Sequence, residues 1–370
     1  MSPKQLLKPS LNWLLVCVPI TIGLHYFGGE SATAIFVFAC ISVIPLAGWM
    51  GKATEHLAEK TNEGIGGLLN ATFGNAAELI IAIVALNRGM TTIVKASLTG
   101  SIIGNILLVL GAAFVTGGFR RDHQKFNASG ARIQATLLTL AAIGLIGPAA
   151  FHHTAGPAGF SNEDKLSLCI AIVLLVAYAC GLFFSLKTHK HLFSGHSEQA
   201  VKTGDGDHGQ AWTLGKSLAV LGLATALVAW ISEILVGSVE HAAETLGMNS
   251  IFVGVIVVAV IGNAAEHSTA VLMAIKNRMD LAIGIAIGSS IQVALFVAPV
   301  LVLLSYVIGP GPMDLVFSLP EVIAVALAVA VTGQIAGDGE SNWLEGILLL
   351  AVYTILGIVF YFLPMTPVAH

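Results

Sequence analysis

Charged residues are scarce in this 370-residue sequence. Lysine, arginine, aspartate and glutamate together make up 10% of it, against roughly 25% in an ordinary soluble domain. Hydrophobic residues make up 56%, and the formal net charge is only −4. This composition argues against a soluble domain and against a nucleic-acid partner, and it indicates a protein that lies almost entirely in a membrane. We therefore expect neither an enzyme nor a bound cofactor.

Cysteine is also scarce, and metal-binding clusters of the usual kinds are missing. The four cysteines all lie in apolar segments, so we expect ordinary buried thiols and not a disulfide framework or a zinc site. They are Cys17, Cys40, Cys169 and Cys180. A membrane-embedded metalloprotease would need a cluster such as His-Glu-x-x-His, which is absent, and Asn-Ala-Ala-Glu-His reverses the needed order.

Long apolar runs dominate the rest of the sequence. A membrane-spanning helix needs about 20 mainly apolar residues, and this criterion predicts an all-α polytopic membrane protein with eleven transmembrane helices. The first run also has the composition of a signal peptide, but its small residues at 31–34 continue directly into the next apolar stretch, which favours a spanning helix. The predicted helices lie near 11–27, 32–50, 64–86, 93–117, 131–150, 164–186, 214–238, 250–275, 281–308, 319–337 and 343–363.

The distribution of positive charge predicts the orientation. With the N-terminus in the cytoplasm, fourteen of the seventeen basic residues fall on the cytoplasmic side, and only Arg88, Lys95 and Lys165 fall outside. This bias predicts a cytoplasmic N-terminus and an external C-terminus. We expect a multi-pass protein of a prokaryotic cell membrane.

The pentapeptide Gly-Asn-Ala-Ala-Glu occurs twice, at 74–78 and 262–266, each time near the middle of an apolar segment. A carboxylate at bilayer depth costs about 2.5 to 3.5 kcal/mol, so it usually faces a cavity, a partner or an ion. On a helix, Asn and Glu three positions apart lie on one face, and the neighbouring glycines permit broken helices that offer carbonyl oxygens. A pure helix-packing motif would need the small residues but not the acid.

The two motifs belong to an internal duplication. Their offset of 188 continues without gaps, so that Gly100-Ser101 aligns with Gly288-Ser289. Each copy contains five predicted helices, and an odd number places the copies in opposite orientations, which is typical of secondary transporters. The predicted organisation is an N-terminal helix (1–30), a first five-helix repeat (31–186), a cytoplasmic linker (187–213) and a second, inverted repeat (214–370).

Polar residues around the motifs predict a cation site. Carboxylate, amide and carbonyl oxygens suit Ca²⁺ better than a soft metal, and two carboxylates match its charge. Ser101, Asn105, Ser289 and Gln292 lie at similar depth on the helices that follow the motifs. Serine in a membrane helix is weak evidence, because it often bonds to the preceding turn. The two amides either bind the cation or hold a glutamate in position.

These features resemble the Ca²⁺/H⁺ exchanger (CAX) family of the cation/Ca²⁺ exchanger superfamily. The resemblance rests on the paired motifs, on SLTGSIIGNILLVLG at 97–111 and GIAIGSSIQVALFVAP at 284–299, and on the one-plus-five-plus-five helix count. It implies that Glu78 and Glu266 bind cation and proton alternately. It also implies that six further residues line or shape the site, namely Asn75, Asn263, Ser101, Asn105, Ser289 and Gln292.

The linker departs from that family, because an acidic segment between the halves is not evident. Four histidines lie there instead, His189, His191, His196 and His208. The segment is either a flexible connector or an element that senses pH or metal.

The sequence therefore predicts a secondary transporter that exchanges Ca²⁺ for H⁺ by alternating access, with both ions competing for the two glutamates. A Na⁺/Ca²⁺ exchanger, an antiporter for Mn²⁺ or Cd²⁺, and a cation channel remain as alternatives. A Na⁺-coupled protein should carry more hydroxyl and acidic ligands, and a channel would not need inverted halves. The predicted partners are the transported ions and membrane lipid, and a homo-oligomer is left open.

Overall fold

The computed structural model describes residues 11–28, 32–61, 66, 68–69, 72–119, 121–156, 159–189, 192 and 212–364. The extreme N-terminus and most of the predicted linker, including His191, His196 and His208, lie outside the described residues. The domain boundaries proposed from the sequence stay predictions.

Helices make up most of the described chain. A 3-10 turn at Leu11–Val16 precedes the first α-helix, and two strands of two residues each pair antiparallel. In chain order the elements are α1 (Cys17–Phe27), α2 (Ala32–Ala58), α3 (Ala76–Asn87), α4 (Thr91–Gly118), β1 (Gln124–Lys125), α5 (Ala128–Ala155), α6 (Phe160–Thr188), α7 (Leu214–Thr245), α8 (Ser250–Gly262), α9 (Ala264–Ile275), α10 (Met279–Ser305), α11 (Leu319–Asp338), β2 (Glu340–Ser341) and α12 (Trp343–Tyr361).

Within the described residues, eight helices are long and apolar enough to cross a membrane. A ninth crossing is added if α8 and α9, which meet at a bend of 60°, form one span. The other two predicted segments coincide with shorter apolar helices, Leu11–Phe27 and Ala76–Asn87. The structure therefore confirms a mainly helical, polytopic membrane protein, whereas the count of eleven stays a prediction.

Small residues let the central helices approach closely. A Cβ added to Gly100 of α4 would come 2.0 Å from the carbonyl oxygen of Val255, and one added to Gly254 of α8 would come 2.5 Å from Cβ of Ala96. Backbones can pack this closely only where side chains are missing or very small. The α4–α8 contact therefore holds the middle of the molecule together, next to the two motifs.

Helix α6 lies at the periphery. Only 17% of its most apolar stretch is buried, compared with 83% for α4. Of the four thiols predicted to be buried, Cys40 is buried and Cys17 is half-buried, whereas the prediction is wrong for Cys169 and Cys180, which are exposed on α6. An apolar sequence predicts burial away from water, but it cannot distinguish contact with protein from contact with lipid.

Contacts between helix ends define two faces of the molecule. One face is named the Arg88 face, after the residue that follows α3. Here Gly309, which follows α10, packs against the end of α3, because an added Cβ on Gly309 would lie 2.7 Å from the carbonyl oxygen of Leu86. Arg121 lies just past the other end of α4, and at this second, Arg121 face its Nη2 donates to the carbonyl oxygen of Ile275 over 3.0 Å, at the end of α9. Helices α3 and α9, which carry the two motif glutamates, thus end at different faces.

Candidate functional site

Both motif asparagines lie at the start of a helix. Asn75 precedes α3, and Asn263 occupies the bend between α8 and α9. Their carbonyl oxygens accept the first helical hydrogen bonds, from the backbone of Leu79 at 3.0 Å and of His267 at 2.9 Å. The expected broken helix is confirmed at Asn263. Each Asn stands where its helix begins, and the glutamate of the same motif follows in the first turn of that helix.

The Asn75 side chain contacts α10, in the second half of the chain. Its Nδ2 donates to Oε1 of Gln292 over 2.6 Å, and its Oδ1 accepts from the Ser289 hydroxyl over 2.8 Å. Because an amide needs several partners when it is buried, these two bonds fix its orientation. The first motif is therefore held by the helix that follows the second motif.

The Asn263 side chain makes the reciprocal contacts with α4. Its Nδ2 donates to the Ser101 hydroxyl over 2.9 Å, and its Oδ1 lies 3.4 Å from Nδ2 of Asn105. Asn105 also donates to the Ser289 hydroxyl over 3.0 Å, which joins the two sets of contacts. All six supporting residues predicted from the sequence thus lie in one hydrogen-bonded network.

Two π-helical stretches position the amides in this network. In α4 the stretch is Gly104–Val109, and it contains Asn105. In α10 the stretch is Val293–Val297, and it begins directly after Gln292. A π-helical turn inserts one residue per turn, which changes the direction of the side chains around it and often marks a functional site. Residue spacing in the sequence did not predict these turns.

The two glutamates meet at the centre of the network. A Cβ on Gly262, the first residue of the second motif, would lie 3.3 Å from Cγ of Glu78. The Ser289 hydroxyl, which also bonds to Asn75 and Asn105, lies within hydrogen-bonding reach of Glu266. Each motif therefore contributes its acid to a shared site.

One carboxylate oxygen of each glutamate is left without a partner. Among the described residues, Oε2 of Glu78 and Oε2 of Glu266 are buried and have no hydrogen bond. An unpartnered buried oxygen is costly unless it takes a proton or a cation. In the same part of the chain no cluster of three or more His, Cys, Asp or Glu occurs, so further ligands must be amide, hydroxyl or carbonyl oxygens.

His267 also belongs to the site, although the sequence analysis assigned it no role there. Its Nε2 lies 3.2 Å from Oδ1 of Asn105. The sequence contains an indication of this position, because the polar His267 follows the second motif directly, whereas the apolar Leu79 follows the first. This difference makes the two halves of the site chemically unequal.

Fold and site together define a polytopic membrane protein with two glutamates, each in the first turn of a helix that begins beside a buried polar network. The model of the sodium/calcium exchanger protein family matches residues 31–187 and 216–362. The chain is 45% identical over 362 residues to a Ca(2+)/H(+) antiporter of Aphanothece halophytica, covering 96% of both proteins. It is also 45% identical to the Ca(2+)/H(+) antiporter ChaA of Bacillus subtilis, covering 90% of this chain and 93% of that protein.

A solved structure, that of native YfkE, has a similar fold. It superposes with a TM-score of 0.82 at 41% identity, covering 96% of this chain and all of that one. The chain therefore belongs to the sodium/calcium exchanger protein family.

Proposed function

We propose that this protein exchanges Ca²⁺ for H⁺ across a membrane. The observation that carries the proposal is the pair of glutamates, Glu78 and Glu266, each with one buried carboxylate oxygen that has no partner among the described residues. The similar proteins of Aphanothece halophytica and Bacillus subtilis carry the name Ca(2+)/H(+) antiporter. Ca²⁺ and H⁺ are the substrates, and the site requires no resident cofactor.

The coupling follows from competition for the same oxygens. A carboxylate in a site closed to water needs either a proton or a bound cation to offset its charge. Protons on Glu78 and Glu266 leave when Ca²⁺ binds, and they return when Ca²⁺ leaves. Because the empty site with two negative charges is costly to move, only the loaded forms change the face to which they open.

The amides and hydroxyls supply neutral ligands and hold the acids in place. Ca²⁺ takes six to eight oxygens in a flexible geometry. Two carboxylates provide at most four, so the amide oxygens of Asn75 and Asn263 and the Ser289 hydroxyl, all members of the network, would supply further ligand oxygens. Asn105 and Gln292 orient these groups through their hydrogen bonds.

The proposed architecture is one N-terminal helix followed by two inverted five-helix repeats, with eleven crossings in all. The ends of α3 and α9 at opposite faces support the inversion, as do the π-helical turns near the middle of both α4 and α10. In the topology predicted from the sequence, fourteen of the seventeen basic residues fall on the same side as Arg121, which supports a cytoplasmic placement of the Arg121 face. Inverted repeats around a central site are a common basis of alternating access.

The test uses purified protein in liposomes with imposed ion gradients. An outward-directed H⁺ gradient should drive Ca²⁺ uptake, and an outward Na⁺ gradient of the same size should not. Parallel assays with Mn²⁺ and Cd²⁺ measure the breadth of selectivity. Uptake driven by Na⁺ alone would replace the proposal with Na⁺/Ca²⁺ exchange, and uptake that needs no counter-ion gradient would indicate a channel.

A further inference from the structure

Arg121 joins the ends of two helices that carry site residues. From Nη1 it donates to the carbonyl oxygen of Gly117, in the last turn of α4, over 2.7 Å. From Nη2 it donates to the carbonyl oxygen of Ile275, the last residue of α9, over 3.0 Å. The last carbonyl groups of a helix have no partner within the helix and carry its partial negative charge. One guanidinium therefore stabilises the C-terminal ends of both helices and holds them together.

Gln124 makes a second connection to the end of α9. Its Nε2 donates to the carbonyl oxygen of Ala274 and to Oδ1 of Asn277, each over 3.0 Å. Gln124 is 1% exposed and lies on β1, where it pairs with Ser341 of β2. The end of α9 is thus bound to a segment, 121–124, that is itself fixed between α4 and the small sheet.

The turn that follows α9 is bound to the same segment. Asn277 has a φ of 59°, in the left-handed region, and among the described residues it is the only one other than glycine with a positive φ. By the offset of 188 it aligns with Gly89, which has a φ of 74° in the turn after α3. Glycine adopts this conformation readily. The second half has instead an asparagine whose side chain accepts a hydrogen bond from Gln124, which the turn at Gly89 cannot reproduce.

The end of α3 lacks corresponding hydrogen bonds. Among the described residues, no side chain donates to the carbonyl oxygens of its last turn, 84–87, where the further bonds come from the backbone. Gly309 packs there only by close contact with Leu86. Both α3 and α9 carry a motif glutamate, but side chains from another part of the chain bind the far end of α9 alone.

Glu266 lies in the first turn of α9, and this helix has 12 residues. Ile275 follows Glu266 by nine residues, which corresponds to about 13.5 Å along a helix axis. A helix this short moves as one piece, so contacts at its end also fix the depth of Glu266. At the site, Nε2 of His267 on α9 lies 3.2 Å from Oδ1 of Asn105 on α4. The two helices are therefore connected both at the site and at the Arg121 face.

Resting on the Ca²⁺/H⁺ exchange proposed above, we infer that Arg121 and Gln124 are positioning residues for Glu266. They act through α9 and not on the cation itself. By binding the end of α9 they hold the Glu266 carboxylate at a fixed depth beside α4, so that Ca²⁺ meets a preformed half of the site. Without them α9 has to be ordered when Ca²⁺ binds, and the affinity falls by the free energy of that ordering.

The first measurement is amide hydrogen exchange in the purified protein without Ca²⁺. Arg121→Gln and Gln124→Ala should each accelerate it along all of α9, including 266–270, which lie more than one turn from the lost bonds. Arg132→Gln is the matched control, because Arg132 donates to the carbonyl oxygen of Gly337 near the end of α11 over 2.8 Å. It should leave α9 unchanged. Acceleration that is absent, or confined to the last turn of α9, would overturn the inference.

The second measurement is the dissociation constant of Ca²⁺, by isothermal titration calorimetry at constant pH. Arg121→Gln and Gln124→Ala should each raise it about three- to tenfold, which corresponds to the loss of one hydrogen bond. The maximal rate of pH-driven uptake should stay near that of the parent. Arg121→Lys keeps a cationic donor between the two helix ends and should recover most of the affinity. Unchanged dissociation constants would overturn the inference, and so would a loss that Arg121→Lys does not recover.

Gly117→Ala tests the same contact while keeping every charge and every donor. Its Cβ would lie 2.0 Å from Oε1 of Gln124 and 2.9 Å from the carbonyl oxygen of Ala274, so it displaces Gln124 from the end of α9. Where gel filtration shows that Arg121→Gln or Gln124→Ala does not fold, this variant replaces it, with the same supporting and contradicting results. If amide hydrogen exchange responds as expected but the parent protein neither binds nor transports Ca²⁺, the proposed function is wrong and the positioning of α9 stands.

Discussion

Asn75 donates from Nδ2 to Oε1 of Gln292 over 2.6 Å, although 217 positions separate them in the sequence. The bond joins the first motif to the helix that follows the second. Asn263 makes the reciprocal contact with Ser101 on the helix that follows the first motif. A cation held between Glu78 and Glu266 would therefore be positioned by both halves at once, so a movement of either half changes the site.

Removing the charge of either glutamate should abolish exchange. Glu78→Gln and Glu266→Gln keep the size of the side chain but can neither release a proton nor neutralise Ca²⁺. Both variants are expected to fold and to show no pH-driven Ca²⁺ uptake in liposomes, whereas the control Glu240→Gln keeps its activity. Uptake near the parent rate by either glutamine variant would contradict the mechanism.

Removing a supporting amide should weaken Ca²⁺ binding without abolishing transport. Asn105→Ala and Gln292→Ala each lose contacts worth about 1 kcal/mol, which corresponds to about a fivefold rise in the Ca²⁺ concentration for half-maximal uptake. Ser268→Ala, at an exposed position on α9, serves as the control. If both amide variants need the same Ca²⁺ concentration for half-maximal uptake as the parent, these residues only pack the helices.

Two aligned glycines should respond differently to alanine. Gly100→Ala places a methyl group 2.0 Å from the Val255 carbonyl oxygen, whereas Gly288 has no neighbour within 4 Å of an added Cβ. Overpacking of this kind costs about 1 to 3 kcal/mol, while Ala in an open helix position is neutral or stabilising. Thermal unfolding in detergent should show a lower midpoint for Gly100→Ala only. Equal midpoints would mean that the α4–α8 contact relaxes easily.

Exchange of one Ca²⁺ for two protons should be electroneutral. A K⁺ diffusion potential is therefore expected to leave pH-driven Ca²⁺ uptake unchanged. One pH unit should sustain a Ca²⁺ gradient of about 100-fold at equilibrium, because each of two protons contributes a factor of ten. Acceleration of uptake by an inside-negative potential would instead require a different stoichiometry, with more charge moving inward.

The proposed inversion predicts which residues react from each side. Lys125→Cys, whose native side chain is 81% exposed, should be labelled by an impermeant reagent only from the cytoplasm, in a background without native cysteines. Asn87→Cys, at the exposed end of α3, should be labelled only from outside. Labelling of both from the same side would exclude the proposed arrangement of the helices around the motifs.

The membrane class and the grouping of polar residues around the two motifs could be predicted from the sequence because each depends on local chemistry. A sequence with few charges and long apolar runs indicates a membrane protein. A carboxylate inside such a run is costly unless it faces a cavity, a partner or an ion. The offset of 188 then aligned Ser101 with Ser289, and the amides Asn105 and Gln292 lie at similar depth on the helices that follow the motifs. These inferences needed no knowledge of which helices touch.

The tertiary structure decided which side chains meet. The π-helical turns next to Asn105 and Gln292, the contact of His267 with Asn105, and the ion pair of Arg88 with Glu233 do not follow from residue spacing. Apolar residues predict that a helix is buried in the membrane, but lipid and protein are equally apolar neighbours, so hydrophobicity does not choose between them. The close approach of the backbones at Gly100 and Gly254 places α4 and α8 against protein and not against lipid. It also sets the register in which the two halves build one site.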